Sequence, residues 1–278
     1  MRSIRVLVPF LLLTGSYLPA DDLPDLSTER PGFSIPSAPV GLGVLQLEQG
    51  YTYEWARISG TSFKTFAAPQ AMVRFGITKA FELRFSTVGY EWQQSLRFDG
   101  QRKKFTGGND YVLGAKLRMV RQSEHGPVPE VSLIGGLSLP SRNSPFTSGG
   151  YDPYFTVAAD KDLPRKFSLV ANFNYASVTD AQGRLFSSGE GLWLTRSFKP
   201  VGVFAETFRT TIARGLGSEV VADMGCYKSL GKHVQIDAEA GHTIAGLRPS
   251  VYASVGLVIR GPRALIGPDR IRFHQSAN

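Results

Sequence analysis

Catalysis needs nucleophiles, proton carriers or metal ligands gathered in one place, and this sequence offers few of them. His125, His233, His242 and His274 stand far apart and lack the close His/Cys/carboxylate spacing of a zinc site. The stretch "AGHTIAG" holds His242, but Ile244 occupies the position where a lipid-cleaving hydrolase would want a serine two residues on. The glycine-rich "TGGND" and "RGLGSE" lack the Lys-Ser/Thr ending of a phosphate-binding loop. Cys226, in "DMGCYK", is the single cysteine; it excludes an intramolecular disulfide and reads as a small strand residue. Carboxylates such as Glu82 and Asp237 have the right type for a general-acid pair. Side chains of the same type also line water-filled interiors, and nothing around them points to catalysis. The expectation is a protein that is not an enzyme and uses no cofactor or metal.

What the charges have in common is their position. Glu48, Arg74, Glu82, Arg84, Lys116, Arg118, Asp237 and Glu239 each lie on the polar side of a segment whose other side is apolar. In "LQLEQGYTYEW", from Leu45 to Trp55, the odd positions carry Leu, Leu, Gln, Tyr, Tyr and Trp, while Gln46, Glu48 and Glu54 lie between them. In 109–120, Tyr111, Leu113, Ala115, Leu117 and Met119 oppose Asp110, Gly114, Lys116 and Arg118; in 232–243, Val234, Ile236, Ala238 and Ala240 oppose Gln235, Asp237 and Glu239. A period of two means β-strands, since successive side chains point to opposite faces. A soluble sandwich would bury the apolar face. A membrane barrel would turn the same face to lipid and the charges to its lumen.

The elements that must position these residues are strands near 44–55, 66–76, 81–92, 109–120, 130–139, 151–160, 167–178, 186–198, 200–210, 218–229, 232–243 and 250–260. Most are about ten residues long, which suits a tilted transmembrane strand. Twelve is an even number, as single-chain bacterial barrels require. Connections after even-numbered strands are mostly short, such as "GITKA" and "KP"; those after odd-numbered strands include 93–108 and the Gly/Ser/Pro-rich 140–150. Short periplasmic turns and longer outer loops fit a barrel with both termini in the periplasm. The fold class read from this pattern is all-β: a transmembrane antiparallel up-and-down β-barrel of about 12 strands. Tyr51, Tyr53 and Trp55 then read as part of an aromatic girdle, with Glu48 and Glu54 turned inward. The same facing predicts that Lys116→Glu is tolerated and that Leu117→Arg is not.

The chain opens with Arg2 and Arg5, a short apolar run over 6–13 and a small residue, Ala20, before Asp21. This is the layout of a secretory signal. The expected organisation is a signal peptide over 1–20, a periplasmic segment over 21–43, the outer-membrane barrel over 44–260 and a C-terminal tail over 261–278. The formal charge is +8, and loss of Arg2 and Arg5 leaves +6. The basic residues are scattered along the strands, which with export argues against nucleic acid as a partner and for anionic lipid headgroups or anionic solutes.

Several phrases in order carry a family resemblance: "ERPGFS", "LQLEQGYTYE", "VRFGITKAFELR", "LGAKLRM", "LIGGLSLPS", "LVANFNY" and "VQIDAEAG…VYASVGLVIR". Together, over roughly Arg30 to Arg260, they resemble the outer-membrane transporter family named for the meta pathway of phenol degradation. The resemblance implies a barrel in the outer membrane of a Gram-negative cell that admits small organic compounds, aromatic ones among them. No catalytic or binding residues come with it. Its partners would be outer-membrane lipid and lipopolysaccharide, the solute, and the barrel-assembly machinery. Two departures stand out: the final strand lacks the usual aromatic where Gly261 sits, and Phe273 is not the last residue. The functional reading is passive passage through a polar lumen lined by the eight charged residues named above. The alternatives are a non-conducting structural or adhesion barrel and, third, an outer-membrane hydrolase.

Overall fold

This computed structural model describes residues 23–261 apart from 24, 142, 181 and 213–216. The expected signal peptide and the expected tail after Gly261 lie outside the described residues. Fourteen strands follow in order: β1 (Leu45–Ile58), β2 (Thr61–Gly76), β3 (Phe81–Thr87), β4 (Tyr90–Leu96), β5 (Arg102–Gly108), β6 (Tyr111–Val120), β7 (Glu130–Leu139), β8 (Asp152–Leu163), β9 (Phe167–Asp180), β10 (Gly183–Ser197), β11 (Val201–Ile212), β12 (Ser218–Leu230), β13 (Val234–Ala245) and β14 (Ser250–Arg260). All pairings are antiparallel, and β1 pairs with both β14 and β2, which closes the sheet on itself. The barrel has twelve staves. β3 and β4 lie along the two halves of β2, and β5 and β6 continue one another beside them, so the fourteen strands include two staves that are each interrupted once.

The interruption has a local cause. Pro69 has no N–H to give the ladder, and Gly89 opposite it adopts φ +88, where a side chain would also strike the Pro69 carbonyl oxygen. The partner stave breaks at the same height. There Asp110 accepts hydrogen bonds from the backbone N–H groups of Ser141 at 2.8 Å and Ser148 at 2.9 Å, which ties the 140–150 loop across the gap.

The strands expected over 130–139 and 250–260 are found with those bounds. The expectation that failed is the long outer loop over 93–108. It is the end of a hairpin, β4–β5, whose connecting turn is only 97–101. Its lysines, arginines and glycines weaken the alternation, but backbone hydrogen bonding carries the ladder on through them.

The surface is inverted relative to a soluble protein. Leu83, Leu113, Leu117, Phe155, Leu192 and Val255 are exposed on the outside, whereas Arg74, Glu82 and Lys116 are completely buried. Apolar residues outside and charges inside is the arrangement of a lipid-embedded barrel. Aromatic neighbours stack along the outer face, with ring centroids 5.7 Å apart for Phe85–Tyr111 and 5.6 Å for Tyr175–Phe186.

Candidate functional site

The lumen is occupied by the chain itself. Residues 27–43, read from sequence as a periplasmic segment, run around the inner wall as a belt. Ser27 O accepts from Gln46 Nε2 on β1 and Arg74 Nη1 on β2, at 2.7 and 2.9 Å. Arg30 O accepts from Gln235 on β13, and the Arg30 guanidinium donates to Ser254 on β14 at 2.7 Å. The Phe33 and Ser34 N–H groups both donate to Glu206 on β11, at 2.7 and 2.6 Å. Ile35 exchanges two hydrogen bonds with the Asn172 amide on β9. Lys116 on β6 donates to Pro36 O at 2.7 Å, and Asp160 on β8 accepts from the Ser37 N–H at 2.7 Å. Val40 N–H donates to Glu82 on β3 at 2.7 Å, and Gly43 N–H to Gly76 O on β2. The partners follow the wall almost full circle, and Ser27 Oγ donates to Ala38 O at 2.9 Å where the two ends of the belt meet.

The sequence "TERPGFSIPSAPV" suits this path. A buried segment outside a ladder must find a partner for each backbone polar group. Pro31, Pro36 and Pro39 bring no N–H and keep the segment out of helix and sheet. The N–H groups of Glu29, Phe33, Ser34, Ile35, Ser37 and Val40 meet side-chain acceptors of the wall. Arg30 lies flat because β1 and β14 place Gly50 directly opposite Gly256 beneath it; a Cβ on either would come within 2.4 Å of the guanidinium.

Two sides of the lumen differ in how they handle charge. On β1–β3 and β6, Arg74 contacts Glu48 and Glu82 at 2.9 Å each and Glu29 of the belt at 3.5 Å. Lys116 lies 2.7 Å from Glu29, which also contacts Arg84. Three cations thus meet three carboxylates, one of them supplied by the belt. Burial alone would raise the Glu29 carboxyl, but Arg84, Lys116 and Arg74 together hold it well below the usual carboxylate range. On β11–β14 the wall is acidic: Glu206, Asp223, Asp237 and Glu239. Arg30 faces Asp237 at 3.6 Å, and Tyr252 donates to Asp223 at 2.8 Å, while Asp223 Oδ1 has no hydrogen-bond partner among the described residues.

All eight candidates from the sequence stand at inner-face positions. Glu48, Arg74, Glu82, Arg84 and Lys116 are brought together in the paired cluster. Arg118 lies nearer the strand end, pairing with Glu130 at 3.4 Å and donating to Lys79 O. Asp237 and Glu239 belong to the acidic side. The expected tolerance of Lys116→Glu does not survive these contacts, because the new carboxylate would face Glu29 with both buried. Sequence reasoning missed Glu29 and Arg30, which precede the first alternating segment, and Glu206. Glu206 shares its face with Phe204 and Phe208, so a rule of polar side inward passes over it; Phe208 itself stacks on Phe33 of the belt at 4.2 Å. Among the described residues no group of three or more His, Cys, Asp or Glu could hold a metal ion.

A closed antiparallel barrel with an apolar exterior and a polar, occupied lumen has the fold of outer-membrane β-barrels. The family described as "Putative MetA-pathway of phenol degradation" matches residues 28–260, and the chain belongs to it. Among solved structures, the COG4313 outer membrane channel from Pseudomonas putida F1 is 14% identical, with a TM-score of 0.61 over 81% of this chain and 98% of that one. The beta domain of the Bordetella autotransporter Brka is 11% identical, with a TM-score of 0.53 over 78% of this chain and 99% of that one. No curated protein matches the sequence.

Proposed function

We propose that this protein is an outer-membrane channel for passive passage of small organic compounds, aromatic ones among them, with a bore set by the 27–43 belt. One observation carries the reading. The inner wall of a twelve-stave barrel is lined by a separate chain segment held through hydrogen bonds and ion pairs, while the wall keeps its charges inward against it. A barrel built only to be solid would fill its centre with side chains of the wall. The name of the Pseudomonas relative and the family's association with phenol degradation support a channel and an aromatic cargo. The barrel would sit in the outer membrane with both termini periplasmic, surrounded by lipid and lipopolysaccharide and inserted by the barrel-assembly machinery. Passage of this kind needs no bond-making chemistry, and selectivity follows from bore and lining charge.

The test is planar-bilayer recording of the mature chain beside a variant lacking 25–43. The expected result is small discrete steps for the mature chain and several-fold larger ones for the variant. A second reading, a non-conducting structural barrel, is favoured by the complete pairing of Arg74, Arg84 and Lys116, which leaves that side with no free charge for a solute. Absence of steps in both proteins would select it.

A further inference from the structure

The β4–β5 hairpin extends the sheet past the belt and away from the end where β1 begins and β14 stops. Its ladders define which residues share a face. One row across β1, β2, β4 and β5 reads Tyr53, Phe66, Trp92, Thr106; the next reads Trp55, Lys64, Gln94, Lys104; the next reads Arg57, Ser62, Leu96, Arg102. These rows lie on the outside, where Phe66, Trp92 and Leu96 are exposed. An aromatic row is therefore followed directly by two rows holding four cations. Arg57 rests against Trp55, 5.5 Å from its ring centroid, and the Phe66 and Trp92 rings are 5.6 Å apart. Neither cationic row contains a carboxylate, and none of the four cations forms an ion pair among the described residues. Elsewhere on the outer face the arrangement differs: Arg209 stands directly opposite Glu190 in the β10–β11 ladder.

We infer that this face is a binding site for a membrane lipid carrying more than one phosphate on its headgroup. Neighbouring strands are about 4.8 Å apart and successive rows about 7 Å, so the four basic side chains span a headgroup-sized area rather than a single phosphate. Aromatic rings mark the level where acyl chains give way to headgroups. Cations one and two rows beyond them meet phosphates at that depth, with the exposed Phe66 and Trp92 packing on the acyl chains below. Charge complementarity thus selects an anionic lipid, and the spread of the cations selects one with several phosphates. The inference rests on the proposed orientation, which puts the hairpin in the outer leaflet.

The experiment uses the full mature chain in detergent, with bound lipid read by native mass spectrometry. The probes are bisphosphorylated lipid A, its dephosphorylated form and phosphatidylglycerol. Wild-type protein is expected to retain bisphosphorylated lipid A in preference to the other two. The triple variant K64Q/R102Q/K104Q is expected to lose roughly a hundredfold in affinity, about fivefold for each basic residue near an anionic surface. The charge-keeping triple K64R/R102K/K104R should restore binding, which separates loss of charge from loss of fold; both triples should keep the heat-dependent gel shift of a folded barrel. Equal retention by wild type and the glutamine triple, or equal retention of phosphatidylglycerol, would overturn the site. Orientation is read separately, by impermeant maleimide labelling of Gly100→Cys on intact cells in a Cys226→Ser background. Failure of that labelling beside charge-dependent lipid binding would overturn the orientation and support the site.

Discussion

The two sides of the lumen meet the same physical difficulty, charge removed from bulk water, and answer it differently. On the β1–β3 and β6 side, cations and carboxylates of the wall neutralise one another at salt-bridge distance, and the belt adds Glu29 as the last anion. On the β11–β14 side the wall provides carboxylates and a tyrosine, and the belt supplies what they need: the N–H groups of Phe33 and Ser34 for Glu206 and a guanidinium for Asp237. Without the belt the first side still pairs Arg74 with Glu48 and Glu82, though Lys116 takes its ion pair from Glu29. The second is built to receive the belt. The difference teaches that a barrel wall can encode the path of an inserted segment by leaving acceptors without donors, since an unpaired buried polar group is costly.

The largest expected effect comes from removing the belt. Without 25–43 the wall keeps Arg74, Arg84 and Lys116 against Glu48 and Glu82 on one side, and Glu206, Asp223, Asp237 and Glu239 on the other. Carboxylates then exceed cations, and the open pore should prefer cations, because lining charge sets ion preference. Reversal potentials under a salt gradient measure this; an anion preference would break the comparison. Next come point changes within the paired side. Glu29→Gln or Lys116→Glu strips a partner from a buried pair, a change that costs about 3–5 kcal/mol. Asp223→Asn on the acidic side removes a charge that lacks an ionic partner and should change stability by less than about 1 kcal/mol. Urea unfolding of vesicle-inserted protein reads both, and equal losses would mean that the two sides do not differ.

A smaller effect is expected at the slot for Arg30. Gly50→Val places side-chain atoms where the guanidinium lies, 2.2 Å from a Gly50 Cβ, and should lift Arg30 from Asp237 without breaking the ladder. Single-channel records should then show a belt that opens more often, while the heat-dependent gel shift stays. The smallest effect is that of mild acid on the paired side. The Glu29 carboxyl sits below its usual range in the folded protein, so its contribution to stability is present above the ordinary carboxylate range, about pH 4.3, and is lost only as the pH falls below it toward the depressed value. Unfolding midpoints at pH 7 and pH 5.5 should therefore match closely once the same comparison is made in Glu29→Gln. A fall at pH 5.5 present in wild type and absent in the variant would show that Glu29 is not held down.

Much of the wall was legible in the linear chain, because alternation is a local property. Leu117 and Lys116 are adjacent in sequence and opposite in facing, and no tertiary information is needed to see it. The same reasoning failed where the local signal was weak or false. The 93–108 stretch hid a hairpin because its lysines, arginines and glycines break the apolar alternation while the backbone ladder continues, and Glu206 was hidden between phenylalanines that face inward to pack on Phe33 and Trp193.

By itself the sequence determined that the chain makes strands, roughly where most of them lie, which side of most of them is apolar, and that eight particular charges lie opposite it. Those are consequences of a two-residue period and of the cost of placing charge in hydrocarbon. Only the tertiary structure decided that these charges close on one another and that residues 27–43 lie among them. Closing a sheet brings Glu48, Glu82, Asp160 and Glu206 onto one circle although they are scattered over the chain. A proline-bearing segment with no period of its own takes its path from that circle of acceptors, and nothing local to "TERPGFSIPSAPV" could disclose it.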